Sequence, residues 1–431
     1  MKRNFVVVSM GLLLLTSCKK GDFNPFCDGQ FNKVYGGSQD EGAKSIFATP
    51  DGGYLFAGWA YSNDQDVSGN HGRSDVWLVK IACNGRIQWQ KTFGGSDIDA
   101  ANSITTDPEG NVMIAGTIFS NDGNVTHNNG GSDAWILKVD QMGNLVWEKN
   151  FGDARSDDAA CVINAEGGGY IALIVSDADV TDQLGNWDVW VLKLDNNGNE
   201  LWRTVLNNDK FDFGYKIINS NDGGYIMVGS TSSDIFDDAW VVKLDASGHK
   251  LWDKKFGGTN AEAFHSIVSV NGGYVAVGST SSDDGDVVGK HPGLEPSEDV
   301  WLVKIDETGN LIWQKCLGGS GTDQGEAIVK TSSGGYAIAG STQSNDGDVS
   351  GNHGSSSDAW IVEVDGVGNK IWQRTFGGTG QFGDSFFDLI KNPGNEYVAA
   401  GGTNSNDGDI TGNHGAEDAW VITIKKPTVK Y

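Results

Sequence analysis

Seven Asp-x-Trp triplets, at Trp77, Trp135, Trp190, Trp240, Trp301, Trp360 and Trp420, recur 50 to 61 residues apart through the 431-residue chain. Self-similarity at such a period means one supersecondary unit stacked repeatedly, and it constrains the fold more than any other feature. The clearest copy is the stretch from Ser341 to Gly378. In the first copy four short apolar runs can be separated: Ser45 to Thr49, Tyr54 to Trp59, Val76 to Ala82 and Ile87 to Phe93. Runs of this length, rich in β-branched and aromatic residues and bounded by Gly, Asn and Asp, read as strands. Asp51-Gly52-Gly53 and Asn84-Gly85 supply the positive-φ positions that tight hairpins need. The polar stretch Tyr61 to Ser74 separates the second strand from the third. Four antiparallel strands per unit describe a propeller blade, so the expected fold is all-β, a seven-bladed β-propeller.

Thirteen of the fifteen tryptophans fall at two repeat positions, the seven above and Trp89, Trp147, Trp202, Trp252, Trp313 and Trp372. Such regular spacing assigns them to packing between blades. The second position has six copies because the chain stops soon after its seventh third strand. Phe31 to Gly37 matches Trp89 to Gly95 and reads as the displaced fourth strand. It is expected to pair beside Val421 to Ile424, closing the last blade with the N-terminal strand and removing open sheet edges. The propeller then takes residues 31–431 as one domain.

The units run roughly W-x-K-x-F-G-G, D-G-x-Y-x-x-G and D-A-W-x-x-K-x-D-x-x-G-N over residues 31–424. In this the chain resembles bacterial β-propeller-repeat lipoproteins, a resemblance that implies shape and carries no shared catalytic motif. The Leu-Asp-x-x-Gly-Asn-x-x-Trp segments also resemble, in part, the tryptophan-docking motif of quinoprotein dehydrogenase propellers, without a cofactor-ligand constellation.

Residues 1–17 combine a basic start (Lys2, Arg3) with an apolar run too short to cross a bilayer, the pattern of a secretory signal. Leu15-Thr16-Ser17-Cys18 resembles a bacterial lipobox, which implies lipidation of Cys18, with residues 18–30 as a tether. The alternative is an ordinary secreted protein. Several acyl chains on one cysteine anchor firmly, and Lys19 does not resemble an inner-membrane retention signal, so the expected address is the outer membrane, on its periplasmic or outer face. The formal net charge of −26 excludes nucleic acid as an expected partner. A monomer anchored to the membrane is expected. A Cys27–Cys83 disulfide is permitted by compartment, and Cys161 and Cys316 read as buried thiols within strands.

Long loops should carry any site. They join the second and third strands of each blade, and the fourth strand to the next blade, and all share one face. Each inner strand is preceded by a carboxylate, read from spacing as Glu41, Asp99, Asp158, Asp212, Glu262, Asp323 and Asp384. These either ring the channel mouth and hold a cation or accept hydrogen bonds from their own loops; repetition favours the second, and the Asp-x-Trp aspartates are read likewise. Asp346 and Asp348, and Asp407 and Asp409, have the Asp-x-Asp spacing of calcium loops but lack the late bidentate glutamate. Calcium, or a loop held by its own side chains, are the two readings. His71, His127, His291, His353 and His414 recur one per blade, too dispersed for a zinc site.

Blade four has the shortest long loop, blade three an altered one carrying Trp187, and blade five an insertion beginning at His291. A notch is therefore expected over blades three and four, with Trp187, Trp59 and Phe236 as aromatic ligand-binding candidates. No G-x-S-x-G, P-loop or H-E-x-x-H motif is present. The expected function is glycan or protein binding, or scaffolding, at the cell envelope. The alternative is a propeller enzyme that cleaves glycans or uses a quinone cofactor, and it predicts a pocket with non-repeated carboxylates.

Overall fold

The computed structural model describes residues 29–426 apart from 178–186, 209–210, 233–235, 294–295 and 393. Twenty-eight strands and no helix occur among the described residues, grouped into seven four-stranded antiparallel sheets. Blade one is typical: Glu41–Ala48, Tyr54–Ala60, Asp75–Ile81 and Ile87–Phe93 follow one another outward from the axis.

The seventh blade closes as the repeat implied. β1 (Asn32–Tyr35) lies antiparallel beside β28 (Asp418–Ile424), with Val34 opposite Trp420. In five other blades the Asp-x-Trp indole donates to a side chain thirteen residues on, as Trp77 does to Gln90 (3.0 Å) and Trp301 to Gln314 (3.0 Å), whereas in blade three Arg203 stacks over the Trp190 ring instead. Trp420 instead donates to Asn32 from the other end of the chain (2.6 Å). Phe31 takes the place of the second tryptophan, its ring 6.0 Å from Tyr54 as Trp147 is 6.4 Å from Tyr170.

The core consists of seven apolar clusters, one between each pair of neighbouring blades. The Asp-x-Trp tryptophans are fully buried there, Trp190 least so, while the second set is half-buried, four of its members against the tyrosine of the next blade. Both sets pack between blades, so the interfaces use the offset aromatic contacts that add to simple area burial.

The inner strand starts four residues earlier than its apolar run suggested, at Glu41 and not Ser45. Every inner strand carries a β-bulge, after its third residue in six blades, for example between Ala43 and Ser45, and after the fourth in blade four. A bulge inserts one unpaired residue and breaks the alternation of faces, which conceals the first half of the strand from a periodicity argument. Opposite the bulge six blades place a glycine. A Cβ on Gly278 would lie 1.8 Å from the Ala263 carbonyl oxygen, a distance no side chain permits. Blade three carries Ile174 at this position.

Candidate functional site

The residue that each bulge leaves unpaired faces the ring axis. Around the axis these are Lys44, Asn102, Ala160, Tyr215, His265, Glu326 and Phe387, seven different residues in a chain whose other strand positions largely repeat. With the residue after each of them and Asp158, they line a cavity of about 370 Å³. Above it, on the long-loop face over blades two to four, lies a groove of about 530 Å³ lined by Phe119, Trp187 and Phe213. Asp158, Ala160 and Tyr215 line both, so groove and cavity adjoin.

The carboxylates of the cavity are held in place. Asp388 accepts from the Ser45 hydroxyl (3.0 Å) and the Ile46 and Leu389 amides (2.9 and 2.8 Å). Asp158 accepts from Asn102 (2.7 Å) and the Thr117 hydroxyl, both on Oδ1. Burial raises the Asp158 carboxyl above the usual carboxylate range, against the pull of Thr117, Asn102 and Lys44. Glu326 sits 3.4 Å from His265 Nδ1. Burial would raise Glu326, but His265 and Lys44 more than reverse this and hold it low. In turn burial opposes the charge on His265, yet Glu326 raises its pKa. Lys216 is held charged by the Cys161 sulfur, which outweighs burial, with Asp388 adding to the effect. Lys44 lies 4.6 Å above the Phe387 ring, a cation–π contact.

Trp187 lines the groove, with its ring stacked 6.0 Å from Phe213 and its carbonyl accepting from the Asp212 amide (2.8 Å). Trp59 and Phe236 are not brought to it. Trp59 packs over Gly42 in blade one and lies 6.3 Å from Phe387 of blade seven. Phe236 is 53% exposed and lines neither cavity nor groove. Cys18 and Cys27 fall outside the described residues. Cys83 is disulfide-bonded, and Cys161 and Cys316 are free.

One register assignment is corrected. The carboxylate that opens blade three's inner strand is Asp157, opposite Ser176, and Asp158 is the next residue, facing the channel. Counting back five residues from Ile163 gives Asp158, but the equivalent of the inner-strand anchor Ile46, two residues after the bulge residue, is Val162, and five residues before it lies Asp157. The true set serves its own loops: Asp99 accepts from the Gly95 amide (2.8 Å) and Glu262 from the Gly258 amide (2.9 Å). Buried beside them, the Asp-x-Trp aspartates bond the long-loop histidines and amides, as Asp299 does with His291 Nδ1 (2.7 Å).

The Asp-x-Asp pairs divide between different tasks. Asp346 accepts from the Ser320 amide (2.7 Å) and Asp407 from the Thr379 amide (2.7 Å), each fastening the preceding interblade loop. Asp348 pairs with Lys370 (2.8 Å) and Asp409 with Arg374 (3.1 Å). Among the described residues no group of three or more His, Cys, Asp or Glu is placed to hold a metal ion.

No sequence motif marks the channel residues themselves. The signal was available in the sequence, because the column two residues before each inner-strand anchor is the one that fails to repeat.

No family model matches the chain. The regulatory protein FlaEY of Caulobacter vibrioides is 22% identical over 190 residues, which are 39% of this chain and 19% of that protein. The matched segment thus spans about a fifth of the length of that curated relative. Among solved structures, Sqt1 of Chaetomium thermophilum superposes with a TM-score of 0.51 at 10% identity, covering 93% of this chain and 99% of Sqt1. Sqt1 bound to the N-terminus of the ribosomal protein L10 gives 0.50 at 12% identity, covering 92% and 100%. At these identities the likeness is one of architecture, and it agrees with the topology: the chain is a seven-bladed β-propeller.

Proposed function

We propose that this protein is a lipid-anchored binding or scaffold module of the cell envelope, which captures a glycan or protein segment on its long-loop face. The observation that carries the reading is the break in repetition at the axis. Where seven copies of one unit meet, the seven bulge residues differ, and they surround a cavity that adjoins an aromatic groove. A purely structural ring has no need of seven different side chains there. Concave sites with a few convergent polar groups and aromatic walls are the usual places for ligands. That Sqt1 has been solved with a peptide segment bound is compatible with capture by this architecture. The lipobox-like Leu15 to Cys18 supports the envelope address.

The test is titration of envelope oligosaccharides and peptides against wild type and Trp187→Ala by calorimetry. Loss of the indole face should weaken binding at least tenfold, about 1.4 kcal/mol. Equal affinities would remove the groove from consideration.

A glycan-cleaving enzyme is the second reading, favoured by one observation. Asp158 is held up and Glu326 held down within a single cavity, and a pair of carboxyls driven apart in this way suits an acid and its partner. New reducing ends appearing in the same oligosaccharide incubations would move the assignment from binding to hydrolysis.

A further inference from the structure

The cavity holds three carboxylates and three cationic side chains, and the two sides are committed very unequally. Asp388 spends both oxygens on neighbouring donors. Asp158 and Glu326 each spend one, on Asn102 and Thr117 and on His265 respectively. The ammonium groups of Lys44 and Lys216 make no hydrogen bond or ion pair with any described residue. Elsewhere the buried lysines have partners: Lys243 reaches Asp222 (2.7 Å), Lys80 reaches Asp51 (2.7 Å) and Lys193 donates to the Gly168 carbonyl (2.6 Å). Two ammoniums without a hydrogen-bond acceptor, Lys44 resting only on the Phe387 ring, therefore need a separate account in the channel of a chain with net charge −26.

We infer that the channel cavity receives one carboxylate group of a hydroxylated ligand, a sugar acid of the hexuronate class, through Lys44 and Lys216. This rests on the binding reading above and names the chemistry of the group that enters. A half-desolvated ammonium gains from a charge-assisted bond to a carboxylate, which is about twice as strong as a neutral one. The uncommitted oxygen of Glu326, held low, can only accept, and that of Asp158 can accept as well, so they call for hydroxyl groups on the same ligand. Tyr215 and Phe387 offer ring surface at the same level.

The acidic surface decides the number of charges. It repels a polyanion along its whole length, whereas a single carboxylate is screened beyond a Debye length of about 8 Å and meets the lysines only at the end of its path. A free hexuronate and one at the end of a glycan share this chemistry.

The test uses the whole folded chain and three probes at equal ionic strength: glucuronate, glucose and acetate. Glucuronate should bind, with glucose and acetate each at least tenfold weaker. Lys44→Met and Lys216→Met should each weaken glucuronate at least tenfold, while Lys216→Arg, which keeps the charge, retains most of the affinity. Unchanged melting curves for the methionine variants separate lost binding from lost folding. An oligosaccharide ending in glucuronate that binds more tightly than the free acid, with the excess removed by Trp187→Ala, identifies the glycan end as the source; equal affinities identify the free acid. Glucuronate affinity that is unmoved in both methionine variants overturns the inference and leaves the groove reading intact. So does preference for acetate or for a glutamate-ended peptide over glucuronate. Loss of oligosaccharide binding in Trp187→Ala alone bears only on the groove.

Discussion

Asp323 opens the inner strand of blade six and is fully buried between blades five and six. Its Oδ2 accepts from the Gly319 amide and the Ser344 hydroxyl, each at 2.8 Å, and Thr342 donates to Oδ1. Gly318 separates it from Asp299, whose buried Oδ1 has no hydrogen-bond partner. Burial pushes the Asp323 carboxyl up to about 6; the three donors pull it down without cancelling that, and the Asp299 charge adds to the rise. Because the folded pKa is the higher one, the folded chain keeps a proton that the unfolded chain has already lost. The contribution is fully present below the ordinary carboxylate value near 4 and is lost as pH rises through about 6. A rise of roughly two pKa units at about 1.4 kcal/mol each makes the cost of ionisation about 3 kcal/mol. Asp323→Asn removes it. The amide oxygen can face the Gly319 amide, and the Thr342 hydroxyl can turn to accept from the new NH₂ group. Guanidinium denaturation of both proteins from pH 4.5 to 8 provides the assay. The stability of the variant relative to wild type should climb by up to about 1.4 kcal/mol per pH unit until near pH 6 and then level off, with groups common to both proteins cancelling. A variant less stable by the same amount at every pH would refute the reasoning, because the junction would then require the ionised carboxylate.

Closure of the ring and the geometry of the bulge give two further tests. Tyr35 is 3% exposed and its hydroxyl donates to the Gly85 carbonyl of blade one (2.7 Å). Tyr35→Ala should therefore cost about 3–5 kcal/mol, the range for truncating a buried aromatic side chain. A chain without residues 1–37 should melt well below wild type and recover when a peptide of residues 29–40 is added; equal melting would show that the blade closes without its N-terminal strand. Gly278→Ala should destabilise by about 1–3 kcal/mol or more, since the bulge carbonyl must move, whereas Ile174→Ala in blade three should cost about 2–5 kcal/mol through the cavity it leaves. A neutral Gly278→Ala would mean that the bulge yields freely.

The blade count, the hairpins and the displaced fourth strand were legible because each rests on local chemistry written seven times. Asn-Gly and Asp-Gly turns, apolar runs and evenly spaced tryptophans need no knowledge of the tertiary structure, and the match of Phe31 to Gly37 with Trp89 to Gly95 follows from the repeat alone. The site was less legible, for a physical reason. A bulge advances the chain by one residue without a partner, so the faces exchange at that point and the residue aimed at the axis is not the one that alternation selects. Only the fold shows that Asp157 holds its own loop while Asp158 enters the cavity. Trp187 and Trp59 stand out as the two tryptophans off the repeat positions and Phe236 by its place in the shortest long loop, but only closure of the ring places Trp187 on the groove and the other two elsewhere. The sequence by itself determined the unit, its number and how the circle closes. The tertiary structure decided which side chains meet at the axis, because Lys44 and Phe387, 343 positions apart in the chain, become neighbours there only when the last blade returns to the first.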